Sequence, residues 1–225
     1  MVVGLRKFEE FRFNSIMKNN KCKICRRLGA KLFLKGDKCL SPKCPIIKKP
    51  YPPGEKGKRR TRTRSEYGKE LSEKQKLKNW YNLGEKQFRK YVKEVLEKRG
   101  KVEDAGALLI EKLESRLDNV VFRMGFASSR SQARQVISHG HFLVNEKKVN
   151  ISSYQVKKGD KVALKLESRK KAIFKNLSTS LKKHKPPSWI ELDIEKLEGK
   201  ISAQPSLEEA ASPAEISVIF EFYSR

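Results

Sequence analysis

A single cluster of thiols constrains this chain more than any other feature. Cys22, Cys25, Cys39 and Cys44 fall within one 23-residue stretch, and no other position is cysteine. Their spacing is C-x2-C-x13-C-x4-C. A CxxC pair offers two thiolates from one turn, and the second pair can close a tetrahedron around the same ion. Zinc favours such a soft four-sulfur set, and a site with no open position is structural, not catalytic. An iron–sulfur cluster also takes four thiolates, although its usual spacings differ. Disulfides belong to oxidising compartments. The first twenty residues, with Glu9 and Glu10 and no continuous apolar segment, do not read as a secretory signal. Zinc leads, with a cluster, disulfides and free thiols as the alternatives.

Between the pairs lies RRLGAKLFLKGDK, whose apolar material is Leu28, Leu32, Phe33 and Leu34. That is too little to fold alone, so a metal would supply the stability, on the order of 10 kcal/mol for such sites. Arg26, Arg27, Lys31 and Lys35 would then be presented on a fixed frame, offsetting the negative charge of the thiolates.

The charge balance says what such a frame faces. The chain of 225 residues carries 52 Lys+Arg against 26 Asp+Glu, a formal net charge of +26. Length allows one large domain or two small ones, and 37% hydrophobic content implies small cores with much solvated or partner-covered surface. A surface of this charge is tolerable when a polyanion covers it. Nucleic acid, an anionic membrane and an acidic protein are the candidates; no apolar run approaches a membrane span, the densest being ALLI at 107–110, and cytoplasmic nucleic acid leads. The charge is also uneven. Residues 185–225 hold four Lys/Arg and eight Asp/Glu, leaving 48 and 18 for the first 184. The front and middle are read as touching phosphate and the tail as touching protein.

After Cys44, PIIKKPYPPGEKGKRRTRTRSEYG contains Pro45, Pro50, Pro52, Pro53, Gly54 and Gly57, which exclude a helix or a central strand. Eight basic residues and one acid, Glu55, lie between Lys48 and Arg64. The segment reads as an extended arm laid along phosphates, placing Lys48, Lys49, Lys58, Arg59 and Arg60 there. Helices follow. ELSEKQKLKNWYN has a capping box at Ser72 and Gln75. EKQFRKYVKEVLEKRG places Phe88, Tyr91, Val92, Val95 and Leu96 on one face and stops at Gly100. A third helix is expected from Asp104 to Gly125, burying Leu109, Leu113, Val120 and Met124. Ser129 and Gln132 form a further capping box, opening a helix with Arg130 and Arg134 on one face and Ala133, Val136 and Ile137 on another. Arginine at such a helix start reinforces a phosphate site. HFLV, a turn at Asn145-Glu146, KKV and KVALKL read as short strands. His139 and His141 are read as surface or RNA-facing, because four cysteines already suffice for a metal. No catalytic constellation stands out, so the chain is not read as an enzyme.

The stretches CKICRRLGAKLFLKGDKCLSPKC, PYPPGEKGKRR, EKQKLKNWY, EKQFRKY, LESRLDNVVFRMGF, QARQVISHGHFLVN, SYQVKKGDKV and EFYSR occur in an order that resembles the bacterial small-subunit ribosomal protein S-four family, in its zinc-bearing version. The resemblance implies an α+β architecture. A mainly helical first domain carries a zinc knuckle, and a small α+β RNA-binding module of the S-four type is inserted into it. The corresponding divisions are an extension (1–20), the knuckle (21–47), the basic arm (48–66), the helical part of domain one (67–112), the module (113–178) and a segment returning to domain one (179–225). It further implies binding to the 5′ domain of 16S rRNA, nucleation of the body of the small subunit in the cytoplasm, and one structural zinc on the four cysteines. Contacts with ribosomal proteins S-five and S-three, a contribution to decoding accuracy, a place along the mRNA channel and repression of its own operon belong to the same family picture. Phosphate contact carries over to Arg26, Arg27, Lys31, Arg116, Arg123, Arg130 and Arg134, and the mRNA-facing segment to Arg59, Arg60, Arg62 and Arg64. Three departures stand out: the residues before Lys18, the loosely matching SLEEAASPAEI, and Glu146 where the family commonly has glycine, a change expected to alter the hairpin turn. The competing classes are an RNA-modifying enzyme that uses the same module as an accessory, and a zinc-dependent DNA-binding regulator. The first needs a separate catalytic domain; the second needs a recognition helix and usually a dimerisation element.

Overall fold

The computed structural model describes residues 21–54, 63–98 and 104–224, so the expected extension at 1–20 lies outside the described residues. The knuckle is built from helix α1 (residues 21–28), α2 (Asp37–Leu40) and α3 (Pro45–Lys48) around a minimal core of Cys25, Leu32 and Leu34. The short α3 was not expected. Pro45 sits at its start, where the missing N–H has no intrahelical partner to lose.

Helix α4 (Glu66–Trp80) starts earlier than the sequence suggested, because Ser65 Oγ accepts the Gly68 amide as its cap. Ser72 therefore lies inside the helix, where its hydroxyl accepts a hydrogen bond from Arg64 at 2.8 Å. Helix α5 (Glu85–Leu96) buries Phe88, Tyr91, Val92 and Val95, following the period of its apolar residues. The single helix expected from Asp104 to Gly125 is two. Asp104 caps α6 (Ala105–Glu114) through the Gly106 and Ala107 amides. The chain breaks at Ser115–Arg116, and α7 (Leu117–Arg123) follows. At the break, the Leu117 amide donates to Tyr154 and the Val156 amide donates to Ser115. One extended residue, Arg116, thus separates the two helices at the junction of the two domains.

Ser129 caps α8 (Arg130–Ser138), accepting the Gln132 amide, while the Gln132 side chain accepts from Ser128 instead of closing the box on Ser129. Strands β1 (Phe142–Val144), β2 (Lys147–Lys148) and β3 (Lys161–Leu164) form the expected small sheet. The hairpin keeps its left-handed turn without glycine: Asn145 has φ 48° and Glu146 φ 66°. Asn145 holds the turn by donating to Asp160 and accepting from the Lys161 amide. Beyond β3 come α9 (Leu166–Arg169) and α10 (Leu177–Lys183), then β4 (Ile190–Asp193) and β5 (Glu198–Ile201).

The five strands make one antiparallel sheet in the order β2-β1-β3-β5-β4. This corrects the expected domain limits. The segment after 178 does not return to domain one as a whole, because the β4–β5 hairpin extends the module's sheet through Val162 opposite Gly199. A Cβ at Gly199 would lie 2.6 Å from the Met124 methyl, so glycine lets the hairpin close over α7. Only α11 (Leu207–Ala210) and α12 (Ile216–Ser224) go back to the helical domain, where Ala210, Ile219 and Phe220 join the core of Tyr81, Phe88, Val92 and Leu113. The molecule is therefore α+β, with helices segregated from an antiparallel sheet.

Candidate nucleic-acid interface

The knuckle's geometry follows from alternation around its thiols. Leu32 and Leu34 point inward and are buried, and Phe33 between them points out. The same loop aims backbone N–H groups at sulfur: Leu32 donates to Cys25, and Lys35 donates to Cys39 Sγ at 3.3 Å. All four cysteines are free thiols lining one cavity, together with Lys31, Phe33 and Lys35. Burial pushes the Cys25 and Cys39 thiols above their ordinary pKa, the two amides oppose that shift, and the neighbouring cysteines add to it. As the side chains stand, no three His, Cys, Asp or Glu groups among the described residues are gathered into a metal-holding cluster. The donor chemistry suits a soft divalent ion, since the lining offers four thiols and two of them already receive amides.

The expected RNA-facing cations divide sharply once placed. Arg27, Lys48 and Lys49 are exposed, and Lys31 and Lys35 half-buried, on the knuckle surface. Arg26 is occupied instead. Its guanidinium donates to the carbonyls of Lys49 and Tyr51 at 3.0 Å and stacks 4.9 Å from the Tyr51 ring, so it holds the root of the arm onto α1. Arg64 is exposed, donating to Ser72 and to the Arg27 carbonyl. Lys58, Arg59, Arg60 and Arg62 lie outside the described residues.

The arginines of the module are the larger correction. Arg116, with 2% of its surface exposed, pairs with Asp118 at 2.7 Å and donates to the Tyr91 hydroxyl at 2.7 Å. Arg123 pairs with Glu114 at 2.8 Å and also donates to the Ala210 carbonyl at 2.9 Å. Arg130 lies 4.2 Å from the Trp80 ring and 4.7 Å from that of Phe122, with its Nε donating to Asn119. Burial pulls Arg130 down to about 10, so it stays charged at neutral pH. These three guanidinium groups tie the two domains together and are not presented to phosphate. Only Arg134, a third exposed while bonded to Asp118, keeps an open edge. The local signal was present in the sequence: LESRLDNVVFR sets two acids beside its two arginines, whereas the knuckle has ten Lys/Arg from Lys21 to Lys49 and a single acid, Asp37.

Sequence reasoning missed another basic stretch. Residues 169–185, RKKAIFKNLSTSLKKHK, hold seven Lys/Arg and no acid. Lys170, Lys171, Lys175, Lys182, Lys183 and Lys185 are exposed around α10, while Phe174, Leu177 and Leu181 anchor the stretch in the module's core. Its lysine density was the available signal. His141, expected at the surface, is buried with Nδ1 3.0 Å from Ser168 Oγ. Burial lowers its pKa, as do the neighbouring Lys171, His139 and Lys148.

Comparison with known proteins bears on this geometry. A model described as "Ribosomal protein S4/S9 N-terminal domain" matches residues 17–114, and one described as "S4 domain" matches residues 115–162. Their boundary falls at the helix break before Arg116. The chain belongs to the ribosomal protein S4 family. Its relatives include proteins named "Small ribosomal subunit protein uS4" from Thermus thermophilus, Kosmotoga olearia and Halothermothrix orenii. They are 44%, 47% and 48% identical over 204 residues, covering 91% of this chain and 96% of each relative. The family's first domain here comprises the knuckle with α4 to α6, and the family's second match stops within β3, short of the β4–β5 hairpin that completes the sheet.

Proposed function

We propose that this chain is a structural, non-catalytic constituent of the small ribosomal subunit that binds 16S rRNA. The observation that carries the reading is its end-to-end similarity to small-subunit proteins, over 91% of its own length and 96% of theirs. The cationic knuckle and the lysines around α10 supply the phosphate-facing charge such a role needs. Binding is directed to the 5′ domain, early enough to nucleate assembly of the subunit's body in the cytoplasm. Cys22, Cys25, Cys39 and Cys44 hold one zinc, whose chemistry here is to fix a cationic loop that has too few apolar residues to fix itself. Ribosomal proteins S-five and S-three are the protein partners, through the acidic tail, with a bearing on decoding accuracy. The arm around Arg64 lies along the mRNA channel.

The test is affinity for a 16S 5′-domain fragment against unrelated structured RNA across a salt series. Each phosphate contact steepens the fall of affinity by roughly 0.7–0.9 log units per log unit of salt. Preference for the 5′-domain fragment that persists at high salt is expected. Equal, steeply salt-sensitive binding to both RNAs would overturn specific rRNA recognition. Metal content of the purified chain, expected at one zinc per chain, tests the cofactor separately.

A further inference from the structure

We infer that Phe33 is a base-stacking platform on the knuckle, taking one unpaired nucleobase of the bound RNA while Lys31 turns to the adjoining phosphate. This inference rests on the rRNA-binding reading and names a residue within it. Phe33 is 43% exposed, an unusual placement for phenylalanine, and its backbone sits at φ 51° in the left-handed region that favours glycine. The structure holds that conformation firmly. Leu32 and Leu34 are buried on either side, and the amides of Leu32 and Lys35 are directed to Cys25 and Cys39. The strain therefore serves to aim one ring outward from a loop anchored at both flanks, which lowers the entropy lost when the ring is engaged.

The surroundings select the occupant. The Lys31 ammonium lies 5.1 Å from the Phe33 centroid, and the knuckle carries ten cations against one acid. An apolar protein pocket would have to accept that charge, whereas a nucleotide brings both a π-face for the ring and a phosphate for the ammonium. An exposed lysine–ring contact is weaker than aromatic–base stacking, so the base displaces the ammonium from the ring.

The experiment uses the full chain and a transcribed 16S 5′-domain fragment. Phe33→Ala and Phe33→Leu are expected to weaken binding by about 5- to 100-fold, the range for removing one stacked base. The salt slope should stay unchanged, because no phosphate contact is lost. Lys31→Ala should lower that slope by roughly 0.7–0.9. Phe33→Trp should keep affinity and show fluorescence quenched by RNA beyond the parent's own response. Parental affinity in Phe33→Ala would overturn the proposal, as would a slope falling together with affinity, which marks loss of the knuckle's whole cationic face. Should the parent itself show no preference for the 5′-domain fragment, the ribosomal reading would fail first.

Discussion

At the scale of single residues, the polar interior carries the most consequence. Glu114 is buried, and its carboxylate accepts from Tyr81 at 2.7 Å and from both Nε and Nη2 of Arg123. Burial alone would raise its pKa, but Arg123, Arg130 and Tyr81 together hold it below the ordinary carboxylate value. Removing one member of such a buried set leaves another charge unpaired, at a cost of about 3–5 kcal/mol. Glu114→Ala is therefore expected to lower the denaturant midpoint strongly, whereas truncating exposed Lys170 should leave it within about 0.5 kcal/mol. Equal midpoints for the two variants would show that the buried set is not what holds the domains. Glu146 makes the opposite case. An L-residue at φ 66° pays roughly 1–2 kcal/mol that glycine avoids, against about 0.5–1 for glycine's extra unfolded-state freedom. Glu146→Gly should raise Tm, reflecting a gain of about 0.5–1 kcal/mol. A lower Tm would mean that the Asn145 side-chain bonds alone set the turn.

At the scale of elements, two joints stand out, one inside the helical domain and one between the knuckle and the module. Helix α12 docks on α4 through Lys74, whose ammonium sits 4.4 Å from the Phe222 ring and 2.8 Å from Glu85. Burial pushes Glu85 up, but hydrogen bonds from Lys74 and Lys78 outweigh it and bring its pKa from 4.5 to about 2. A carboxyl depressed in the folded state stabilises above its unfolded pKa and loses that contribution as pH falls through the folded value. The window here runs from about 4.5 down to about 2. Parent Tm should fall through that window, and Glu85→Gln should start lower and converge with it at the acid end. Parallel curves would remove Glu85 from the account. The second joint is Gly36, at φ 60°, where a Cβ would lie 2.5 Å from the Ser128 carbonyl oxygen. Gly36→Ala should lift the knuckle from the module, read as faster amide exchange across 32–38 with the sheet unchanged. Unchanged exchange there would make the contact incidental.

At the scale of the whole molecule, the knuckle has too small a core to stand alone, whereas the module has its own core around Leu117, Val136, Phe142, Val162 and Trp189. If the four cysteines hold zinc and the chain binds the 5′ domain as proposed, Cys39→Ser should abolish metal binding, unfold the knuckle and weaken that affinity while near-ultraviolet signals from Trp189 persist. A variant that keeps full affinity without metal would sever zinc from the RNA-facing surface. The organisation explains why some features are legible in the sequence and others are not. The period of Phe88, Tyr91, Val92 and Val95 specifies a helix face locally, and the thiol spacing likewise needs only a short segment to be read. The family was legible because its motifs run in order along the chain.

What the sequence determined by itself is thus whatever neighbouring residues decide together: the amphipathic face of α5, the soft four-sulfur donor set, the excess of cations in the front of the chain, and the kinship those motifs carry. The tertiary structure alone decided which cations face solvent, where the helix before Arg116 breaks, and that β5 completes the module's sheet. The physical reason is range. Arg123 meets Ala210, Tyr81 meets Glu114 and Val162 meets Gly199, partners separated by 87, 33 and 37 positions along the chain. An arginine's charge is fixed by its chemistry, but whether it faces a phosphate or a buried carboxylate depends on what the fold brings to it.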